Sequence, residues 1–252
     1  MAQKHIDSMI LKLIGKLPGY PALRVLDLSC GDAKLLAALS ADGCACTGSR
    51  FKEGDYILTD AGVPAGVEIV NNVNLMEKLP FPGGVFDVVL LEEVIEHLPN
   101  HGVVIDEISR VLKPGGWFVL STPNIHRLHS RAQFLFTGAH KLIRRRVGWD
   151  LSRQDIYAYH FNPLDFPVFH TLAHQSGFRI FKLWYTKVKV RHLYLALLYP
   201  LVFAMSWLEF LRGLNEPPAF RAGEADLFSW MTHPAMLFSE QLLIQCQKNS
   251  DS

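Results

Sequence analysis

Two groups of residues have types and spacing that could do chemistry. The first is Glu93, Glu96 and His97. Read as a helix, positions three and four apart share a face, so two carboxylates and an imidazole would converge. Such a set can take a proton from an acceptor hydroxyl, or hold a divalent ion that lowers the hydroxyl's pKa. A purely structural role, capping and pairing locally, is the third reading. The second group is Val25-Leu26-Asp27-Leu28-Ser29-Cys30-Gly31-Asp32-Ala33. An apolar run ends on Asp27, and a tight turn through Gly31 leads into a helical pattern. A strand, a turn and a helix N-terminus offer backbone N–H groups to a ligand. Gly31 lets the backbone come close to that ligand, and Asp27 can accept from a ligand ammonium.

The elements that must position these groups alternate along the chain. Apolar runs at 24–28, 44–47, 67–71, 86–91 and 117–121 read as strands. Helical patterns at 34–39, ended by Gly43, and at 105–112, ended by Pro114-Gly115-Gly116, lie between them. This alternation predicts a doubly wound, mostly parallel α/β sheet with helices on both faces. Ligands in such sheets sit beyond the carboxyl ends of the strands, at the switch point. The segments to watch are therefore 27–33, 48–55, 72–75, 91–97 and 122–126.

Residues 122–165 are polar, aromatic and basic without a period, and read as a lid. A helix is expected to open near Asn162-Pro163 and Asp165 and to close at Gly177. Residues 178–190 and 239–248 alternate as strands, and 191–237, rich in Leu, Phe, Trp and Met, is an insertion between them. The main domain is thus 1–190 with 238–248. At the start, Ile6, Met9, Ile10, Leu13, Ile14 and Leu17 mark an amphipathic helix over 4–17, stopped by Pro18, Gly19 and Pro21. Lys12 and Lys16 interrupt it and no small-residue cleavage site follows, so it reads as a helix packed on the domain, not a secretion signal.

Composition sets the outer bounds. The 252 residues are 49% hydrophobic and 19% charged, enough apolar material for one to two domains and too little charge for a disordered chain. A net charge of +1 gives no global pull toward nucleic acid. The four cysteines, Cys30, Cys44, Cys46 and Cys246, have neither zinc spacing nor a disulfide pattern.

Taken in order, the motifs resemble those of class I S-adenosylmethionine-dependent methyltransferases over residues 20–190. Asp27 to Ala33 resembles their glycine-rich loop. Leu79-Pro80-Phe81 with Phe86-Asp87-Val88-Val89 resembles their approach to the fourth strand. Glu93-Val94-Ile95-Glu96-His97-Leu98 resembles the helix that follows it, and Leu112-Lys113-Pro114-Gly115-Gly116 their turn into the fifth strand. The resemblance implies S-adenosylmethionine as cofactor, in contact with Asp27, Ser29, Cys30, Gly31, Arg50, Asn74, Leu75 and Glu92. The E-x-x-E-H pattern is similar to that of quinone-biosynthesis O-methyltransferases and small-RNA 2′-O-methyltransferases. There it binds a divalent metal, and a later lid His completes some sites. This implies Glu93, Glu96, His97 and His160 as metal ligands, with His97, His160 and Glu93 as the catalytic candidates.

Three departures from the family pattern stand out. Ser29 and Ala33 replace loop glycines. Arg50 lies near the place of a ribose-binding carboxylate, for which Glu53 or Asp55 is the substitute on offer. Asn74 stands where the family has an acid, and its amide oxygen can still accept from an adenine amino group. A degenerate, non-catalytic module that kept the fold is therefore the alternative to an enzyme. A nicotinamide cofactor fits less well, because that fingerprint needs three glycines and a carboxylate.

Residues 193–208 carry no charge and contain Pro200. Sixteen helical residues reach ~24 Å, short of the ~30 Å hydrocarbon core. If the flanking strands pair antiparallel, both ends of the insertion lie on one side of the sheet and a single span is forbidden. The segment is expected to lie in the membrane interface or dip into one leaflet, with a buried cap or a dimer face as the plain reading. Lys182, Lys187, Lys189 and Arg191, with Lys141 and Arg144 to Arg146 farther back, suit an anionic surface. RNA is disfavoured, because no extended basic stripe accompanies them. Ser121-Thr122-Pro123-Asn124 with the lid is similar to methyltransferases of bacterial cell-surface polysaccharide pathways. The expected acceptor is a hydroxyl of a sugar or lipid-linked glycan, or alternatively a quinone-type lipid. The expected location is cytoplasmic, at the inner face of a membrane.

Overall fold

Apolar runs buried almost throughout form the central strands, at 24–27, 86–92 and 117–123, and left-handed Gly43 and Gly138 end the helices at 34–42 and 128–137. The computed structural model describes residues 2–51, 62–140, 160–213 and 215–250. Helix α1 (Ala2–Ile14) precedes β1 (Arg24–Asp27), α2 (Lys34–Asp42), β2 (Ala45–Phe51), β3 (Val67–Val73) and β4 (Phe86–Glu92). Then come α3 (His101–Val111), β5 (Leu112–Pro123), α4 (Leu128–Thr137), α5 (Phe166–Gln175) and β6 (Phe178–Trp184). The chain ends with α6 (Tyr199–Gly213), α7 (Pro218–Met231), α8 (Pro234–Phe238) and β7 (Gln241–Lys248).

The strands form one seven-stranded sheet in the order β3-β2-β1-β4-β5-β7-β6. Only β7 runs antiparallel to its neighbours. Strand order reverses between β1 and β4, which pair in parallel, and this is the switch point where ligands bind in such sheets. Alternation along the central strands splits the core in two. Val25, Val88, Leu90 and Val119 pack under α1 and α2 on one face, while Leu26, Val89, Leu91 and Phe118 pack under α3 and α5 on the other.

The expected doubly wound sheet is present, and the differences are local. Strand β2 runs on to Phe51, and β5 joins the ladder at Leu112, with Gly115 at φ +74° and a register shift against β4 between Phe86 and Val88. The helix expected at Glu93 to Leu98 is a short 3₁₀ turn, Ile95–His97. Lid residues 122–165 supply the end of β5 and α4; the basic run Lys141 to Arg146 lies outside the described residues.

The insertion leaves after β6 and returns through an isolated bridge between Val188 and Ser239. Because β6 and β7 are antiparallel, both feet stand at the edge where the parallel strands end. Residues Val190–Leu198 form a 3₁₀ stretch that runs directly into α6. The helical run Tyr194–Gly213 is therefore 20 residues, longer than the 193–208 segment suggested, and by length and composition it is enough to cross a membrane. Helix α7 folds back on it, with Phe228 against Phe203, Trp207 and Phe210.

Candidate functional site

At the switch point the loop after β1 opens a cleft of about 230 Å³, lined by Asp27, Ser29, Cys30, Gly31 and Glu92, together with Asp7 of α1. Its floor is tied by one side chain. Ser29 donates from its backbone N to Asp27 Oδ1 (2.8 Å), and its hydroxyl lies 3.3 Å from the same oxygen. That hydroxyl also accepts from the backbone N of Glu92 at 2.9 Å. The serine that replaces a family glycine thus links the ends of β1 and β4. Ala33 keeps a left-handed backbone, φ +55°, at the start of α2, so the loop holds the glycine-like conformation without the glycine. Burial pushes the Asp27 carboxyl up to about 6, partly offset by hydrogen bonds from Ser29.

Cys30 packs inward, its thiol donating to Ser49 O at 3.2 Å. Burial raises that thiol to about 11, so it lines the cleft as a neutral group. Arg50 does not line the cleft; its Nε donates to Gly31 O at 3.2 Å, bracing the loop from β2. Asn74 closes its own turn by accepting from Met76 N (2.9 Å), and Leu75 is buried in the core; neither lines the cleft. Glu53 and Asp55 lie outside the described residues.

Asp7 was not singled out from the sequence. It lies on the helix face of Ile10 and Ile14, which are fully buried, and an acid interrupting an apolar stripe was the available signal. The cleft thus collects four carboxylates, Asp7, Asp27, Asp32 and Glu92, against one lysine, Lys34, which pairs with Asp32. Such a lining suits a cofactor carrying an ammonium and a sulfonium.

The second cluster lies just past β4, and it corrects the expected grouping. Glu93 has φ +51°, a strained conformation for a side-chain-bearing residue. Its carboxylate accepts from Ser121 Oγ (3.2 Å) and bonds Gln241. The kink and the 3₁₀ turn take Glu93 out of the set, and the described group of possible ligands is Glu96, His97 and His160. Their ligand atoms lie within 4.8 Å of one another. Glu96 Oε1 faces His97 Nε2 at 3.8 Å and His160 Nε2 at 3.9 Å, and the two rings meet edge-on.

Glu96 Oε2 accepts from Thr122 Oγ1 at 2.9 Å, whereas Oε1 is buried with no hydrogen-bond partner among the described residues. Burial, with the nearby charge of Glu93, raises the Glu96 carboxyl to about 8. His160 is held in place by its neighbour: Asn162 donates from its backbone to Glu96 O (3.1 Å) and from Nδ2 to Leu98 O (2.7 Å). Burial lowers the His160 pKa, which keeps the imidazole neutral at physiological pH.

The comparisons with known proteins agree with this geometry. Residues 26–120 match the methyltransferase domain family. The chain is 31% identical over 124 residues to a ubiquinone biosynthesis O-methyltransferase of Pseudomonas aeruginosa, covering 47% of this chain and 52% of that one. It is 32% identical over 139 residues to the protein of the same name from Bordetella avium, covering 54% and 55%. The chain spans about half the length of these curated relatives. An S-adenosylmethionine-dependent methyltransferase structure from Mesorhizobium loti superposes with a TM-score of 0.56 at 15% identity, over 98% of both chains. Residues 26–120 thus carry a methyltransferase domain, and the fold is shared with solved S-adenosylmethionine-dependent methyltransferases.

Proposed function

We propose that the protein transfers a methyl group from S-adenosylmethionine to a hydroxyl of an acceptor held at a membrane surface. The observation that carries this reading is the pairing of an acid-lined cleft at the switch point with the Glu96, His97 and His160 cluster, which begins four residues beyond Glu92. The cofactor, when bound, supplies an electrophilic methyl on a sulfonium. Asp27 and Glu92 would hold its ammonium, and Asp7 would add negative charge that favours its positive sulfonium. Gly31 and the start of α2 offer backbone N–H groups to its carboxylate.

Methyl transfer to oxygen also needs a proton acceptor. His160, neutral and partly exposed, takes the hydroxyl proton at Nε2 as the oxygen–methyl bond forms and the sulfur–methyl bond breaks. Glu96 then faces the imidazolium, and Thr122 orients Glu96. A divalent cation held by Glu96, His97 and His160 is the second reading, favoured by the buried, unpartnered Glu96 Oε1; such an ion would lower the acceptor's pKa directly.

An apolar phenol of quinone type is favoured as acceptor over a lipid-linked glycan, because the aligned relatives are named for ubiquinone biosynthesis. The exposed apolar run Tyr194–Gly213 supports delivery from a bilayer, with the insertion lying in the interface on the cytoplasmic side.

The test is calorimetric titration with S-adenosylmethionine and its demethylated product, then methyl transfer to a catechol-type quinone precursor and to a lipid-linked glycan, each with and without chelator. Micromolar cofactor binding and chelator-insensitive transfer to the phenol are expected. Loss of transfer on chelation, restored by adding a divalent ion, would establish the cation reading instead. No binding at millimolar cofactor, in folded protein, would leave only the non-catalytic module.

A further inference from the structure

Where the insertion leaves and rejoins the sheet, its two feet and the first turn of α4 enclose a narrow crevice. Its polar wall is Arg127, His129, Lys189, His192 and Glu240. Leu128, Leu195 and Leu237 form a small apolar cluster beside it. Nothing in the methyl-transfer scheme uses this place.

Its charges do not balance. Arg127 is 5% exposed, and its Nε finds no hydrogen-bond acceptor among the described residues. Its Nη1 approaches Glu240 only to 3.5 Å, and Glu240 is already paired with Lys189. Lys187 lies near the same carboxylate: burial alone would raise Glu240, and Lys189, Arg127 and Lys187 hold it low. One anion thus answers three cations. A buried donor without a partner is costly, and an incoming acceptor removes that cost.

The backbone points the same way. The ten-residue helix α4 starts at the crevice, with Arg127 as its N-cap and no side-chain cap. Its first N–H groups and its dipole favour a bound anion. His129 and His192 stack at 4.0 Å, bringing two imidazoles to the same wall.

We propose that the crevice is a phosphoryl-binding subsite. It is narrow, so one phosphoryl oxygen enters against Arg127 Nε and the rest of the group rests at the rim beside Lys189. The 3₁₀ stretch Val190–Leu198 begins at the next residue, and Leu197 on it is 85% exposed. A phosphoryl group attached to a lipid would therefore have its charge in the crevice and its chain along the apolar segment. The carrier is a phospholipid headgroup or the phosphate of a lipid-linked acceptor. This choice of carrier rests on the membrane reading above; the anion site does not.

The experiment uses the intact protein and three probes: inorganic phosphate, phosphatidylcholine vesicles, and the same vesicles containing phosphatidic acid. Binding to phosphatidic acid vesicles is expected to exceed binding to plain vesicles, and inorganic phosphate is expected to compete. Lys189→Gln should reduce the phosphatidic acid preference about tenfold, the equivalent of one charge-assisted hydrogen bond. Lys182→Gln, at an exposed lysine stacked on Trp184 outside the crevice, should reduce it far less. Arg127→Gln, which keeps a polar side chain in the buried position and leaves Glu240 paired with Lys189, is the second probe and should lose the preference while melting as a folded protein.

Phosphate binding without any vesicle binding would keep the subsite, assign it to a soluble phosphate and overturn the membrane reading. Vesicle binding indifferent to headgroup and to added phosphate would overturn the subsite and leave the membrane reading standing. Equal losses for Lys182→Gln and Lys189→Gln would also overturn it, since only general surface charge would then be at work.

Discussion

In the proposed function, Asp27 is the residue on which cofactor binding turns. It is nearly fully buried at the end of β1, and burial pushes its carboxyl up to about 6 against an ordinary 3.8. An acid raised in the folded state gives stability that is complete below its unfolded pKa and lost as pH rises through the folded value. The ligand-free protein is therefore expected to weaken between about pH 4 and pH 6 from this group, by on the order of 3 kcal/mol. Cofactor binding has the opposite pH dependence, because the ammonium needs the ionised carboxylate. Asp27→Asn should melt higher than the parent at pH 8 without ligand, yet bind S-adenosylmethionine at least about tenfold more weakly. Scanning calorimetry and titration at pH 5 and pH 8 read both effects; unchanged affinity in the variant would place the cofactor elsewhere. His160→Gln separates the second cluster from the first. It should leave cofactor affinity intact and slow methyl transfer by roughly 10²–10⁴-fold.

At the scale of elements, α1 and the turn after β4 decide the shape of the site. Helix α1 seats Ile6, Ile10, Leu13 and Ile14 in the core and so brings Asp7 over the cleft. Asp7→Asn is expected to weaken S-adenosylmethionine by about threefold to tenfold, because a partly exposed charge is screened. Binding of the neutral demethylated product should change less, and equal losses for the two ligands would argue that α1 matters only for packing. Thr122→Val removes the donor to a buried Glu96 oxygen and should cost about 1–3 kcal/mol in denaturant unfolding. Much of this frame was legible in the sequence. Apolar runs ending at Asp27 and Glu92 gave the strand ends, and glycines at 31, 43 and 177 gave the turns. The turn at 95–97 was not legible, because E-x-x-E-H has helical spacing and only the left-handed backbone at Glu93 breaks it. Pairing of β6 with β7 is non-local, yet it sets both feet of the insertion at the catalytic edge. No local pattern shows that Arg127 and Glu240, 113 residues apart, share a buried crevice.

For the whole molecule, the question is what covers the apolar insertion. The window within Tyr194–Gly213 is only 6% buried, although α7 packs along one side of it. Leu197, Leu201 and Trp207 are 85%, 60% and 43% exposed. Leu197 and Leu201 contribute little to the fold, whereas Trp207 also meets Phe228 of α7, so changing the three should act mainly on association. A span is unfavourable here for a topological reason: both feet stand at one edge, and α7 returns the chain to that edge through a helix carrying Arg221, Glu224 and Asp226. On the proposed reading, the helix would bury its exposed face among the acyl chains while the sheet domain stays in water, with the Glu96, His97 and His160 cluster toward the bilayer. Each exposed leucine or tryptophan taken from water contributes roughly 1–3 kcal/mol. The triple variant Leu197→Gln/Leu201→Gln/Trp207→Gln is therefore expected to lower affinity for phosphatidylcholine vesicles at least about a hundredfold. Its titration with S-adenosylmethionine should match the parent, and its melting temperature should fall only by the loss of the Trp207–Phe228 contact. Flotation of parent and variant with vesicles measures the first effect. If the parent does not float and instead sediments as a dimer that the variant loses, the apolar face is an interface between copies, and acceptors would reach the site from water.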